Sequence, residues 1–316
     1  MEELAARVLA SERRAVARAV TVVENGLPGA DALADRLYPH TGRAWRIGVT
    51  GPPGAGKSTL VDRLVAHFRM DGRTVGVVAV DPSSPFTGGA VLGDRVRLEG
   101  HAADAGVFVR SLAARGALGG LATAAEGAAD VLDAAGFDVV LVETVGVGQS
   151  EVDVASAADT VVVVLVPESG DAVQAMKAGL MEIADVFVVN KADHPEANLL
   201  VRALRQALEL RAHDPAAWAV PVVKTSAARG EGVEALVEAL EAHRAHLAPR
   251  WDRLREERLR RRVRALVERG WRQAFWTGAR EAALGEALAA ADGKGRTPHR
   301  LAAGLLAGAV REASGA

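Results

Sequence analysis

The stretch Gly51-Pro52-Pro53-Gly54-Ala55-Gly56-Lys57-Ser58-Thr59 has the residue types and the spacing to hold a chain of phosphates. It fits G-x-x-x-x-G-K-[ST], a pattern that carries meaning only between a strand and a helix. Residues 46–50 read as a buried strand before it and residues 60–65 as a helix after it. Glycines let backbone N–H groups turn inward around phosphate oxygens, where a Cβ would obstruct them. The helix start behind them adds partial positive charge. Lys57 can reach the β- and γ-phosphates, and the Ser58 hydroxyl can hold Mg²⁺.

Three acids are placed to face a nucleotide-bound metal. Asp81 opens Asp81-Pro82-Ser83-Ser84-Pro85-Phe86-Thr87-Gly88-Gly89-Ala90, a loop by its prolines, glycine pair and hydroxyls. Asp94 follows in Val91-Leu92-Gly93-Asp94-Arg95. Glu143 begins Glu143-Thr144-Val145-Gly146 after a further apolar run. Mg²⁺ prefers hard oxygens and keeps several waters, so one or two carboxylates suffice. Glu143 would hold the metal or one of its waters. The Gly146 N–H could bond the γ-phosphate, and loss of that phosphate would release the loop.

Asn190-Lys191-Ala192-Asp193 fits N-K-x-D. The Asp193 carboxylate can accept from guanine N1–H and N2–H₂ together. Adenine offers no such donor pair, so discrimination follows from the cost of an unpaired carboxylate. Asn190 can brace the pocket, and the Lys191 stem can lie along the base. Thr225-Ser226-Ala227 fits a loop closing over the guanine from the other side.

These groups need a frame that brings them together. Between 43 and 247, short apolar runs alternate with helical stretches, which argues for an α/β fold: a mostly parallel sheet with helices on both faces. The expected strands are 46–50, 74–80, 106–110, 138–142, 160–166, 185–189 and 220–224. The polar motifs follow strand ends, where such folds bind ligands. Residues 1–42 form an amphipathic helical extension, interrupted at Gly26-Leu27-Pro28-Gly29, with a second short helix from Asp31. Residues 248–316 form a third segment, a helical arm. A long Arg-rich helix is expected over 251–276, and Thr297-Pro298 starts a last helix. Leu254, Leu259, Val263, Leu266 and Val267 make an apolar stripe that Trp271, Phe275 and Trp276 extend. So short a segment cannot bury that surface alone, so it is expected to pack on another subunit.

Composition narrows the classes. The chain has 316 residues, 49% hydrophobic and 25% charged, with a net charge of −2. That suits a globular protein with no bulk attraction to nucleic acid or anionic lipid. There is no cysteine, which excludes disulfides, thiolate metal sites and a cysteine nucleophile. The longest apolar run, 161–166, is far too short to cross a bilayer, and no signal peptide is evident. The expectation is a cytoplasmic protein. Arg outnumbers Lys 33 to five. Two of the five lysines, Lys57 and Lys191, fall in the nucleotide motifs, and Lys177 survives outside them.

Together these motifs resemble the methylmalonyl-CoA mutase-associated GTPases of the MeaB/ArgK type. The most specific strings run from Asp81 to Ala90, then Gly93-Asp94-Arg95, and from Val142 to Glu151. The run 171–179, with Glu182-Ile183-Ala184-Asp185, is similarly telling. The resemblance implies a P-loop G domain of the signal-recognition and metallochaperone (SIMIBI) class. It implies a homodimer that uses GTP hydrolysis to gate cofactor loading of an adenosylcobalamin-dependent acyl-CoA mutase and to protect it. It places Ser58, Asp81, Asp94 and Glu143 on the magnesium side of the site. Asp171 and Gln174, a helix-capping pair by sequence, would with Lys177 form a further switch that relays nucleotide state to the mutase.

Val147 stands where Ras-like enzymes carry a water-positioning Gln, so intrinsic hydrolysis should be slow. Asp94 or Gln149 could take that role, or the partner could complete the site; Asp94 is the leading choice. No cobalamin-binding D-x-H-x-x-G string is present, so the chain is not expected to carry that cofactor itself.

Three rivals follow from the same residues: an ATP-using kinase of an amino-acid transport system, a nickel-delivery GTPase, and a nucleotide-binding scaffold without turnover. Asp193 argues against the first. The lack of cysteine and the scatter of eight histidines argue against the second. His243 and His246 share a helix face and are expected to be solvent-exposed rather than to bind metal.

Overall fold

The computed structural model describes residues 1–81, 100–101, 103–113, 120–144, 157–167, 179–210, 217–290 and 297–314. The chain divides into two compact units, Met1–Arg255 and Glu256–Ala316.

The first unit is built on a seven-stranded sheet. Its strands are β1 (Trp45–Thr50), β2 (Val75–Asp81), β3 (Val107–Ala113), β4 (Val139–Thr144), β5 (Thr160–Leu165), β6 (Val186–Val189) and β7 (Val222–Lys224). They are ordered β3-β2-β4-β1-β5-β6-β7, and every pairing is parallel. The α/β expectation holds, with each strand displaced by at most a few residues from its expected position.

Strands β1, β4 and β5 are buried along their whole length. A parallel sheet covered on both faces requires this, and it is why these segments read as unbroken apolar runs. Alternate residues serve opposite faces. Val139 and Leu141 of β4 join Ile47, Val49, Val162 and Val164 beneath α4 (Lys57–Met70) and a later helix, Val233–Leu247. Val140 and Val142 face the other way, into a core shared with the N-terminal helices α1 (Glu2–Leu9), α2 (Arg13–Glu24) and α3 (Ala30–Leu37) and with α5 (Gly120–Ala134).

The N-terminal stretch before Gly26 forms two helices rather than one. Ser11 adopts a left-handed backbone (φ 58°), and its hydroxyl donates to the Ala135 carbonyl at 2.6 Å. A tertiary hydrogen bond thus ends a helix whose apolar spacing would have continued it. The entry to β1 is fixed by Asp133 of α5, which accepts from the N–H groups of Gly42, Arg43 and Ala44 at 2.7 to 3.0 Å. Arg46 is buried between Asp130 and Asp133, at 2.8 and 2.9 Å. Burial alone would lower its pKa, but the two carboxylates outweigh burial and raise it.

α6 (Leu180–Ile183) is a single turn, and α7 (Ala197–Glu209) packs beside β5 and β6. With Val233–Leu247 as α8, the long helix is α9 (Trp251–Phe275), followed by α10 (Gly278–Ala290) and α11 (Pro298–Ser314). Pro298 opens α11 as expected, and the Thr297 hydroxyl accepts from the Arg300 N–H. Leu259, Val263, Leu266, Val267, Trp271 and Trp276 of the apolar stripe are all exposed. Among the described residues, no helix is long and apolar enough to cross a membrane.

His243 corrects the expectation of an exposed pair. It is 2% exposed. Its Nδ1 lies 3.0 Å from Thr160 Oγ1 and its Nε2 lies 3.4 Å from Asp185 Oδ1, beneath the start of β5. Trp218 covers it, with ring centroids 4.9 Å apart. His246 is half-buried beside the same Trp218, with ring centroids 5.4 Å apart. Among the described residues, no group of three or more metal-ligating side chains is gathered.

Candidate nucleotide site

The loop 51–56 leaves the carboxyl end of β1, at the centre of the sheet, and runs into α4. Two glycines are obligatory there. Gly51 has φ +137°, and a Cβ on it would lie 2.1 Å from the Val164 carbonyl oxygen. Gly56 has φ +85°, and its Cβ would lie 2.4 Å from Asn190 Nδ2. The second contact ties the phosphate loop to the guanine motif in space. Lys57 lies back along the loop, with Nζ donating to the Gly51 and Pro52 carbonyls at 2.8 Å each.

Ser58 Oγ donates to Glu143 Oε1 at 2.6 Å. Both side chains are buried, and Glu143 stands near the end of β4, which pairs directly with β1. At the next residue of β4, the hydroxyls of Thr50 and Thr144 bond at 3.0 Å, joining the tips of β1 and β4. A hydroxyl and a carboxylate held together at the phosphate loop form a hard-oxygen donor set of the kind Mg²⁺ prefers. Asp81 closes β2 two strands from β1. Asp94, Gly146, Val147 and Gln149, and the switch residues Asp171, Gln174 and Lys177, lie outside the described residues.

Asn190 follows β6 and is 3% exposed. Its Nδ2 donates to the Ala55 carbonyl at 2.8 Å. Its Oδ1 accepts from Thr225 Oγ1 and from the Ala227 N–H, each at 3.0 Å. One buried amide therefore joins three loops, its nitrogen donating and its oxygen accepting as an amide's atoms must. Lys191 has a left-handed backbone (φ 53°), uncommon for a residue with a Cβ. The turn is pinned on both sides, by Asn190 N–H to Leu165 O at 2.8 Å and Ala192 N–H to Thr225 O at 2.9 Å.

Ser226 Oγ donates to Asp193 Oδ1 at 3.1 Å. Bonds from its own backbone N–H and from Ser226 hold the Asp193 carboxyl below the usual carboxylate range, so it stays ionised and able to accept. The phosphate loop, the Ser58–Glu143 pair and the Asn190, Asp193, Ser226 and Ala227 cluster thus sit on neighbouring strand ends. Sequence reading missed Arg63 on α4, which donates to the Ala227 and Ala228 carbonyls. Its partners are backbone atoms more than 160 residues away, and no motif records such a bond.

The family model for "Methylmalonyl Co-A mutase-associated GTPase MeaB" matches residues 16–280. A protein of Pyrococcus abyssi, provisionally named a GTPase, is 52% identical over 263 residues, covering 83% of this chain and 81% of that one. The Escherichia coli protein named GTPase ArgK is 39% identical over 241 residues, covering 74% of this chain and 73% of that one. Among solved structures, one titled as a LAO/AO transport system kinase superposes with a TM-score of 0.73 at 28% identity, covering 96% of this chain and 95% of that one. The chain belongs to the MeaB family of P-loop GTPases, a family associated with methylmalonyl-CoA mutase.

Proposed function

We propose that this GTPase is a guanine-nucleotide switch serving an adenosylcobalamin-dependent acyl-CoA mutase, with methylmalonyl-CoA mutase as the default partner. It gates loading of the mutase's cofactor and protects the mutase from inactivation. It works in the cytoplasm as a homodimer joined through its C-terminal arm, binds neither nucleic acid nor membrane, and carries no cobalamin of its own. The observation that carries the reading is the bridge through Asn190. One buried side chain joins the phosphate loop to the loops bearing Asp193 and Ala227, so phosphate and base are sensed by one connected frame. A mouse relative named methylmalonic aciduria type A homolog, 34% identical over 253 residues, points the same way, although this chain spans 60% of its length.

Gly51, Pro52, Pro53, Gly54, Ala55, Gly56, Lys57, Ser58 and Thr59 cradle the phosphates. Asn190, Lys191, Asp193, Ser226 and Ala227 take the base. Ser58 and Glu143, with Asp81 and Asp94, are the residues that would hold Mg²⁺. When bound, the ion supplies positive charge opposite the β- and γ-phosphate oxygens. Lys57 adds charge at the same oxygens, and the Gly146 N–H senses the γ-phosphate. Asp94 orients the attacking water, and Asp171, Gln174 and Lys177 relay the outcome to the mutase. With Val147 beside Gly146, turnover is slow until the partner engages.

The exposed stripe Leu259, Val263, Leu266 and Trp271 supports the dimer, because apolar surface of this kind marks an interface. The kinase title belongs to the other protein; an ATP-using enzyme has no use for a carboxylate aimed at guanine N1–H and N2–H₂. A pull-down from the native host, with GDP and with a non-hydrolysable GTP analogue, tests the partner. Nucleotide-dependent recovery of an acyl-CoA mutase is expected; recovery of none in either state would refute the assignment.

A further inference from the structure

Arg63 lies on α4, six residues beyond Lys57. Its half-buried side chain reaches the loop after β7. Nε donates to the Ala227 carbonyl and a terminal nitrogen donates to the Ala228 carbonyl, each at 3.0 Å. A planar guanidinium can fork onto two successive carbonyls, whereas an ammonium cannot match both with the same geometry. Ala227 O also accepts from the Gly230 N–H at 3.2 Å, so the fork lands on a closed turn.

The other side of that turn is the guanine cluster. Ala227 N–H donates to Asn190, Asn190 donates to Ala55, and Ser226 donates to Asp193. The bonds make a closed circuit: α4, Arg63, the 225–228 loop, Asn190, the phosphate loop, and back to α4. Asn190 closes it on the ligand side and Arg63 on the side away from the phosphates. Ser226 is also paired with Glu231 and Thr225 with Val189, but those bonds stay within the strand ends and the turn; Arg63 is what ties the loop to α4.

We propose that Arg63 is a positioning residue for guanine recognition: it sets the spacing between the base-closing loop and the phosphate cradle, and through Ser226 the aim of Asp193. The inference rests on reading Asp193 and its neighbours as the guanine pocket. The Arg63 guanidinium is bonded to the base-closing loop, six residues along α4 from Lys57, so its loss should act on base binding rather than on the chemical step.

The test compares the full-length wild type with Arg63→Ala and Arg63→Lys. Steady-state hydrolysis of GTP and ITP is measured, with displacement of a fluorescent GDP by GDP, IDP and ADP. Guanine and hypoxanthine differ only in the 2-amino group that Asp193 would accept from. For Arg63→Ala, KM for GTP should rise about tenfold, as the loss of two hydrogen bonds allows, while kcat changes by less than about twofold. The preference for GDP over IDP should fall about threefold or more. Arg63→Lys should be intermediate, and it carries the test if the alanine variant does not fold. Unchanged KM and GDP/IDP preference would overturn the proposal. So would a joint fall in kcat and Tm with the GDP/IDP preference intact, since a purely structural residue behaves that way. A wild type that does not prefer GDP over ADP would overturn the guanine reading itself and this inference with it; a wild type that does, beside an unaltered Arg63→Ala, sinks this inference alone.

Discussion

The Nδ2 of Asn190 stands where a Cβ on Gly56 would have to go, 2.4 Å from its ideal position. The glycine that lets the phosphate loop turn is also the one that lets the guanine motif touch it. Asn190 cannot step aside cheaply, because its amide is held by Ala55, Thr225 and Ala227. Gly56→Ala should therefore weaken GDP and GTP binding together, by about 10- to 100-fold, from left-handed strain and the displaced amide combined. Titration with a fluorescent GDP measures this, and affinity within about twofold of wild type would refute the coupling.

Ser58 and Glu143 share a 2.6 Å hydrogen bond between buried side chains. Glu143→Gln keeps the shape and removes the charge. The Mg²⁺ concentration for half-maximal GTP hydrolysis should rise by about tenfold or more, with GDP binding in the absence of Mg²⁺ affected far less. A Mg²⁺ titration of turnover checks it; an unchanged midpoint removes Glu143 from the metal side.

The roles proposed for Asp94 and Lys177 are separable by experiment. Asp94→Ala should lower kcat by about 100-fold while leaving GTP affinity nearly intact, as loss of a water-orienting group does. Lys177→Ala should keep GTP binding and slow unassisted turnover, yet lose the stimulation by the mutase. Single-turnover assays with and without the partner read both; wild-type turnover in the first variant or full stimulation in the second refutes the respective role.

The Arg46 pairing with Asp130 and Asp133 is structural. Asp133→Ala would leave a buried guanidinium short of one partner and three N–H groups at the entry to β1 without their acceptor. A loss of about 3–5 kcal/mol is expected. Urea unfolding would show it as a lowered midpoint with the slope retained, and a change under about 1 kcal/mol would contradict the account.

Asp185 and His243 give opposite pH slopes. Burial pushes Asp185 up to about 7 from 3.8, so the folded state keeps a proton that the unfolded chain has released. That contribution is complete below the unfolded value and is lost as pH rises towards 7. Burial pushes His243 down to about 4 from 6.5, so its contribution is complete above 6.5 and is lost as pH falls through 4. The two largely cancel in the shared window. Asp185→Asn removes the first, keeps an acceptor for the Val161 N–H, and leaves the burial that lowers His243 in place although the two side chains are 3.4 Å apart. Its stability relative to wild type should therefore climb as pH rises from about 4 to about 7. Urea midpoints for both proteins across that range check it; a flat difference would mean that Asp185 titrates normally.

Much of this molecule follows from local rules. A parallel sheet buried on both faces writes itself as runs such as Val161-Val162-Val163-Val164, and strand-end loops write themselves in Gly, Asp and Asn. Hence the seven strands, the phosphate loop and the N-K-x-D motif stand out in the linear order of residues. Tertiary structure alone decided what joins them. Ser11 ends a helix by bonding Ala135, His243 is drawn under β5 by Thr160 and Asp185, and Arg63 grips carbonyls that any residue could have supplied. A backbone carbonyl has no residue type. Contacts made to it across the fold therefore leave no pattern in sequence, and only the packing of α4 beside the loop after β7 brings such partners within reach.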